Sequence, residues 1–241
     1  MKAEANEAFR IFQSLNLSLQ LAAASITCAL LLLYNGCSRK PTESISGSVA
    51  QNNALREELL RRVREDQAIR DEFIQKGSDK TDESVLARMR AIDSDNRARI
   101  KAIIEEYGWP GPQLVGQDGQ GAAFILVQHG DHTLQKKVLP LVKKAYESHQ
   151  IPGEKYALLL DRVLVGDGKP QVYGTQARGT EEWRQDEPVL QPIEDEANVD
   201  RRRAELGLVP LSVYVKQLKE TYFPDSQSKT NSQENRSRQI R

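Results

Sequence analysis

Apolar residues recur at helical spacing through the first half of the chain, and this periodicity most restricts the folds open to it. Between residues 55 and 74, large apolar residues fall on one side of a helical wheel and charged residues on the other. A second stretch with the same pattern follows Thr81 and ends at Gly108. The pattern predicts two long amphipathic helices whose apolar faces pack against other elements.

The rest of the pattern predicts shorter elements. A glycine-rich loop at 116–121 is expected to precede a short helix, and Asp131 is a typical cap residue for the helix after it. Residues 171–176 and 188–193 resemble short extended segments whose prolines confine them to edges. We therefore predict a mainly α fold of about six to seven helices in one compact domain, with a small two-stranded β element near 171–193.

The N-terminal region contains the only long apolar run, residues 21–34. This run is shorter than the ~20 residues of a bilayer span and typical of a signal-peptide core. Gly36-Cys37 and a polar stretch follow, a pattern that resembles a bacterial lipoprotein signal with lipidation at Cys37. An uncleaved anchor and a cleaved export signal are the alternatives. We expect a membrane-anchored protein of the cell envelope, with its domain extracytoplasmic.

Composition suggests a simple layout. The expected segments are a signal or anchor at 1–37, a polar tether at 38–53, a single helical domain at 54–222 and a disordered tail at 223–241. Both cysteines precede residue 54, which excludes disulfides and cysteine zinc sites from the expected domain.

Charge balance argues against a nucleic-acid partner. The chain has 34 Lys and Arg against 34 Asp and Glu. Its basic cluster, 201–203, is offset by acidic neighbours and is predicted to form a solvated helix face.

Several polar residues interrupt the apolar faces of the predicted helices. They are Asp66 and Arg70 on the first helix, Asp93 and Asn96 on the second, and Asp161 and Arg162 on a later one. A buried charge is costly unless it has a partner. If the apolar faces of these three helices pack together, their polar residues would be expected to satisfy one another in one shared cluster. Such a cluster is either a structural ion-pair network or the floor of a cleft with perturbed pKa values.

His129-Gly130-Asp131-His132 is the segment most suggestive of chemistry. Histidine serves as a general base near neutral pH or as a metal ligand, and Asp131 could orient one ring. The alternatives are a structural role with Asp131 as a helix cap, a polar site without metal, and a metal site. The metal site lacks an obvious third ligand and the H-E-x-x-H pattern, so no metal or other cofactor is predicted.

Several motifs together resemble a family of uncharacterised bacterial proteins classed only as a domain of unknown function. In chain order they include Glu65-Asp66-Gln67, Gly108-Trp109-Pro110-Gly111, Gln128-His129 with Asp131, Asp161-Arg162, and Pro170-Gln171-Val172-Tyr173-Gly174-Thr175-Gln176. The resemblance spans about residues 55–218 and implies no reaction. Phe124 stands where the family pattern leads us to expect tryptophan.

Three functional hypotheses follow, the third of which is a purely structural role that would predict no pocket. The favoured one is a tethered domain that binds a small molecule, peptide or partner protein; its candidate ligand-binding residues are Arg70, Asn96, Gln128, Asp161, Arg162, Tyr173 and Gln176. The alternative is a hydrolase-like enzyme in which His129 or His132 works with a carboxylate such as Asp66, Asp93 or Asp161. Its candidate catalytic residues are Asp66, His129, Asp131 and His132.

The lipoprotein hypothesis predicts the effect of Cys37→Ser. Because an acyl anchor is lost with its thiol, the variant should move from the membrane fraction to the soluble exported fraction, as followed by cell fractionation and immunoblotting. Retention of the variant in the membrane would contradict lipidation and favour the uncleaved anchor.

Overall fold

The computed structural model describes residues 51–75, 82–179, 182 and 187–222. The expected signal, nearly all of the tether and the expected tail therefore lie outside the described residues. Within these ranges the chain is mainly helical, with seven α-helices. They are α1 (Asn53–Gln75), α2 (Glu83–Tyr107), α3 (Pro112–Gln128), α4 (His132–Glu147), α5 (Gly153–Gly166), α6 (Val199–Glu205) and α7 (Leu211–Tyr222). None of these helices combines the length and apolar character that crossing a membrane requires.

The described residues divide into two compact units, one ending at Leu159 and the other beginning at Leu160. The first unit contains α1 to α4 and the start of α5, and its core includes fully buried Leu59, Ile100 and Phe124. The single domain expected at 54–222 stays a prediction.

Helix ends in the first unit follow from side-chain and glycine caps. Helix α2 begins after Asp82, which is its N-cap: the Asp82 side chain accepts a hydrogen bond from the Ser84 backbone N–H at 3.0 Å. It ends at Gly108, where φ is 71°. The Asp131 side chain accepts from Leu134 N–H at 2.8 Å and caps α4, as the sequence predicts.

The glycine-rich segment at 116–121 is helical, and the loop expected there is wrong. Pro112 begins α3, and within the segment only Gly116 has non-helical torsions, with φ 72° and ψ 170°. A Cβ on Gly119 would lie 2.8 Å from Val115 Cβ and 3.3 Å from Arg56 Cγ of α1, so the turn of the chain at Gly116 leaves no room for a side chain at this position. Burial of Val115, Ala122 and other side chains of this helix outweighs the poor helix propensity of glycine.

The second unit contains isolated bridges where a two-stranded β element was expected. Gln171 pairs with Ile193 in parallel and Ala177 with Leu190 antiparallel, and the described residues form no strand. The unit's apolar core includes Ala177, together with Tyr214 and Leu218 of α7. Most polar backbone groups of 171–176 bond to side chains, which leaves few for a ladder.

Two glycines of α3 predict opposite effects of alanine. Gly116→Ala should lower the free energy of unfolding by about 1–3 kcal/mol, because its torsions are nearly restricted to glycine. Gly121→Ala is the matched control: its added Cβ would meet nothing within 4 Å, so we expect a gain of about 0.5–1 kcal/mol. Urea denaturation of both variants is the measurement, and equal effects of the same sign would contradict this account.

Candidate functional site

Four charged residues of α1, alternately acidic and basic, follow one another at intervals of four positions. Residues with this spacing lie on one face of a helix. On α2, residues spaced by three face these four residues and bond to them. We call the combined set the polar seam; it consists of Glu58, Arg62, Asp66 and Arg70 on α1 and Asp93, Asn96 and Arg99 on α2.

Asp66 lies at the centre of the polar seam and is fully buried. Its Oδ1 accepts from Arg70 Nη1 at 2.7 Å, while its Oδ2 lies 2.6 Å from Nδ1 of His129 and accepts from Gln67 Nε2 at 3.0 Å. Burial acts to raise the pKa of Asp66, but His129 and Arg70 outweigh it and hold that pKa below its ordinary value. Asp66 is therefore ionised at neutral pH, so Nδ1 of His129 carries the proton of this hydrogen bond.

Arg70 connects the two helices of the polar seam. Its Nη1 also donates to the Asp66 carbonyl at 3.1 Å, and its Nη2 donates to Asp93 Oδ1 on α2 at 2.7 Å. The Arg70 side chain is 1% exposed, whereas that of Asp93 is 29% exposed. The guanidinium is thus shared between a fully buried carboxylate and a partly solvated one.

Glu58 forms the other end of the polar seam. It accepts from Arg62 Nε at 3.0 Å and from Arg99 Nε and Nη2 at 2.8 and 2.7 Å. The hydrogen bond from Arg99 is the main cause that lowers the pKa of Glu58 to about 2, against the opposing effect of burial. This end is an ion-pair clamp between α1 and α2.

Asn96 sits inside the polar seam with 5% of its surface exposed. Its Oδ1 accepts from Arg62 Nη1 at 3.1 Å, which fixes the orientation of the amide. Its Nδ2 has no hydrogen-bond partner within the described part of the chain. A buried donor in this state costs about 1–3 kcal/mol relative to a satisfied one.

The histidine-containing segment is divided between two helix ends. His129 follows the last residue of α3 and its side chain is 2% exposed, so the first histidine joins the polar seam through Asp66. His132 begins α4 and is partly exposed. Asp131 caps α4, and its other oxygen lies 3.4 Å from Arg97 Nη1. Within the described ranges, no group of three or more His, Cys, Asp or Glu could hold a metal ion.

Gln128, the last residue of α3, is buried at 1% exposure. Its carbonyl accepts from Gln135 Nε2 at 2.9 Å, and the same Nε2 donates to the Gly130 carbonyl at 3.1 Å. This buried amide of α4 therefore fixes the turn between Gln128 and Asp131.

Asp161 organises a separate set of contacts in the second unit. Its carboxylate accepts from the backbone N–H groups of Val172, Tyr173 and Thr175 at 2.8, 3.0 and 2.9 Å, and from the Thr175 hydroxyl at 2.9 Å. Burial raises the pKa of Asp161, and these four donors act in the opposite direction. Arg162, the next residue, is buried at 6% exposure.

The carbonyls of the same loop are bound by side chains from later helices. Arg203 Nη1 donates to Tyr173 O at 2.6 Å, Arg202 Nε to Val172 O at 3.0 Å, and the Tyr214 hydroxyl to Thr175 O at 2.9 Å. Arg203 is 1% exposed, so the solvated face predicted for 201–203 is wrong for this residue. Its guanidinium points into the unit, where it donates hydrogen bonds to carbonyl oxygens of Tyr173 and Val209. A buried carbonyl without a donor would destabilise the fold.

Gln171 and Gln176 complete the loop. Gln171 Oε1 accepts from the Gln176 backbone N–H at 2.8 Å, and its Nε2 donates to the carbonyls of Gln176 and Gln191 at 2.9 and 2.8 Å. Gln176 is buried and its Nε2 donates to Thr175 Oγ1 at 3.0 Å. The Pro-Gln-x-Tyr-Gly-Thr-Gln segment is thus held in one conformation, with the Tyr173 side chain partly exposed.

The structure connects some of the predicted site residues and separates others. Asp66 is in direct contact with Arg70 and with His129, whereas Asn96 accepts from Arg62 at the part of the polar seam that contains Glu58. Asp161, Tyr173 and Gln176 belong to the second unit and are bonded within it. Sequence reasoning missed Glu58, Arg62 and Arg99, although the four-residue spacing of charges on α1 signalled a shared face.

Comparisons with known proteins assign the chain to a family. No curated protein and no solved structure matches it. Residues 53–225 match a family model, and this stretch covers well over half of the chain. The chain therefore belongs to the Family of unknown function (DUF6624).

Proposed function

We propose that this chain is an envelope-tethered helical domain that binds a small polar ligand at the polar seam. The tether is supported by the sequence alone, through the apolar run at 21–34, the Gly36-Cys37 pair and the polar stretch after it. Such a layout holds a binding domain close to a membrane surface.

The buried Asn96 amide is the observation that carries the binding proposal. Its Nδ2 is a hydrogen-bond donor without a partner in the described residues, although nine-tenths of the residue is buried. Proteins tend to keep such a group where function compensates for the lost stability. The ligand is accordingly a compound that offers a hydrogen-bond acceptor, such as a carboxylate, carbonyl or hydroxyl oxygen.

Arg62 and Glu58 support this site as positioning residues. Arg62 Nη1 donates to Asn96 Oδ1 at 3.1 Å, and Glu58 accepts from Arg62 Nε at 3.0 Å. Because the donors and acceptors of the polar seam are held by ion pairs, little side-chain freedom is lost when a ligand binds. Preorganisation of this kind favours a compact polar ligand over a long flexible one.

General acid–base catalysis by His129 is the second candidate. The contact between His129 Nδ1 and Asp66 favours it, because a carboxylate that binds one ring nitrogen orients the imidazole for proton transfer at the other. In this hypothesis Asp66 remains ionised and His129 moves the proton. The reaction class would be hydrolysis with an activated water.

Asn96→Leu tests the binding proposal through stability. If the Asn96 donor serves a ligand, removal of the amide should leave the free energy of unfolding unchanged or raise it. Asn52→Leu is the matched control: Asn52 Oδ1 accepts from Leu55 N–H at 3.0 Å and caps α1, so this variant should lose about 1 kcal/mol. A loss of more than about 1 kcal/mol in Asn96→Leu would show that the amide is structural.

A thermal-shift screen tests the same proposal through binding. Small carboxylates and sugars are compared on the wild-type chain and on Asn96→Leu. We expect at least one compound to raise Tm of the wild type but not of the variant. A screen in which every stabilising compound acts equally on both proteins would contradict binding at Asn96.

A further inference from the structure

Helix α4 carries a local excess of positive charge. Its 16 residues include four lysines, Lys136, Lys137, Lys143 and Lys144, and one acidic residue, Glu147. The two longest helices are balanced by comparison, since α1 has five basic and six acidic residues and α2 has five of each. The chain as a whole has a formal net charge of zero, so the excess is a property of α4 itself.

The four lysines lie on the outer side of α4, and we call them the lysine face. Lys136 and Lys143 are seven positions apart, as are Lys137 and Lys144, so the lysines form two adjacent rows along the helix. All four are exposed. The opposite side of α4 packs into the core through Leu134, Val138, Val142 and Ala145. Core packing therefore fixes the direction in which the lysine face is presented.

Two of the four lysines form ion pairs with acidic residues. Lys137 Nζ lies 2.9 Å from Glu105 Oε1 on α2, and Lys143 Nζ lies 3.7 Å from Glu147 Oε1. More than half of each of these four side chains is exposed to solvent. Exposed pairs of this kind are weak and are screened by salt. The lysines also outnumber these two acids, so the face stays positive toward a partner.

The lysine face reaches the end of the first unit at which the expected tether enters. The Asn52 backbone N–H donates to the Leu114 carbonyl at 2.9 Å, so the chain enters beside the start of α3. A Cβ added to Gly111, the N-cap of α3, would lie 3.1 Å from Gln150 Oε1, so the turn after α4 lies at the same place. Lys144 belongs to the last turn of α4. A membrane that holds the tether is therefore within reach of the lysine face.

We propose that the lysine face docks the tethered domain onto a lipid bilayer that contains anionic headgroups. Each lysine near such a surface adds electrostatic attraction. Four lysines bind weakly by themselves, but a tether keeps the domain at a high local concentration beside the bilayer. The proposal rests on the membrane tether of the proposed function and does not involve the polar seam.

The composition of α4 favours a bilayer over an acidic protein as the partner. Specific protein interfaces are enriched in arginine and depleted in lysine. Helix α4 contains four lysines and no arginine. Lysine offers a mobile, strongly hydrated point charge, whereas arginine offers a planar fork that recognises a carboxylate in one geometry. A fluid surface of phosphate groups needs only the former.

Lysine acylation on vesicles tests this proposal with the full chain. The protein is inserted through its N-terminal segment into protein-free vesicles of phosphatidylcholine, or of equal parts phosphatidylcholine and phosphatidylglycerol. Acylation by a neutral succinimidyl ester is followed at each lysine by peptide mass spectrometry. We expect the rates at Lys136, Lys143 and Lys144 to fall severalfold on the anionic vesicles, while exposed Lys169 and Lys216 of the second unit keep their rates. High salt should restore the rates.

Flotation of the same vesicles separates the two proposals. The full chain should float with both lipid compositions. Failure to float with either would contradict the tether and, with it, this proposal. Flotation with equal acylation rates in both lipids would overturn docking through the lysine face and leave the tether standing. Protection that appears in native membranes but not on protein-free anionic vesicles would identify a protein partner and would also overturn it.

A paired set of charge variants checks that the lysines themselves cause the protection. Lys136→Gln with Lys143→Gln removes one row of the lysine face, and it should reduce the protection of Lys144 on anionic vesicles. Lys169→Gln with Lys216→Gln is the matched control, because it removes the same charge from exposed positions outside α4. Circular dichroism checks that both variants keep their fold. Equal protection of Lys144 in the two variants would overturn the proposal.

Discussion

The buried carboxylate of Asp66 is the constraint on which the first unit depends. An ionised group without solvent exposure is tolerated only when partners satisfy it, and here the partners come from different helices. Arg70 links it to Asp93 on α2, and His129 links it to the end of α3. A shift of either helix along α1 would leave a buried charge unpaired, so we infer that this interaction fixes the register in which the helices pack.

The second unit uses the same physics with backbone groups as partners. The Asp161 carboxylate accepts hydrogen bonds from backbone N–H groups of residues 172–175, and the Arg203 guanidinium donates to the carbonyls of Tyr173 and Val209. Hydrogen bonds to buried side chains thus take the place of the backbone hydrogen bonds that would join two β-strands. This explains how an irregular segment can be buried without leaving its polar backbone groups unsatisfied.

The parts of the fold that depend on local pattern could be predicted from the sequence. The periodicity of α1 and α2 placed Asp66 and Arg70 on buried faces, and cap chemistry identified Asp131. The helical conformation of residues 117–121 could not be predicted from local sequence, because it depends on the burial of Val115, Ala122 and neighbouring side chains in the core. Burial of Arg203 was missed for a similar reason: its acceptors are up to 30 residues away in sequence.

Comparison of Asp66→Asn with Asp93→Asn tests the central claim most directly. Both carboxylates bind Arg70, but Asp66 is fully buried and the Asp93 side chain is 29% exposed. Urea denaturation at neutral pH should show a loss of about 3–5 kcal/mol for Asp66→Asn, because the variant breaks a buried ionic interaction. Asp93→Asn should lose about 1 kcal/mol or less, because its charge is partly solvated. Equal losses, or a neutral Asp66→Asn, would contradict the role of Asp66 as the centre of the polar seam.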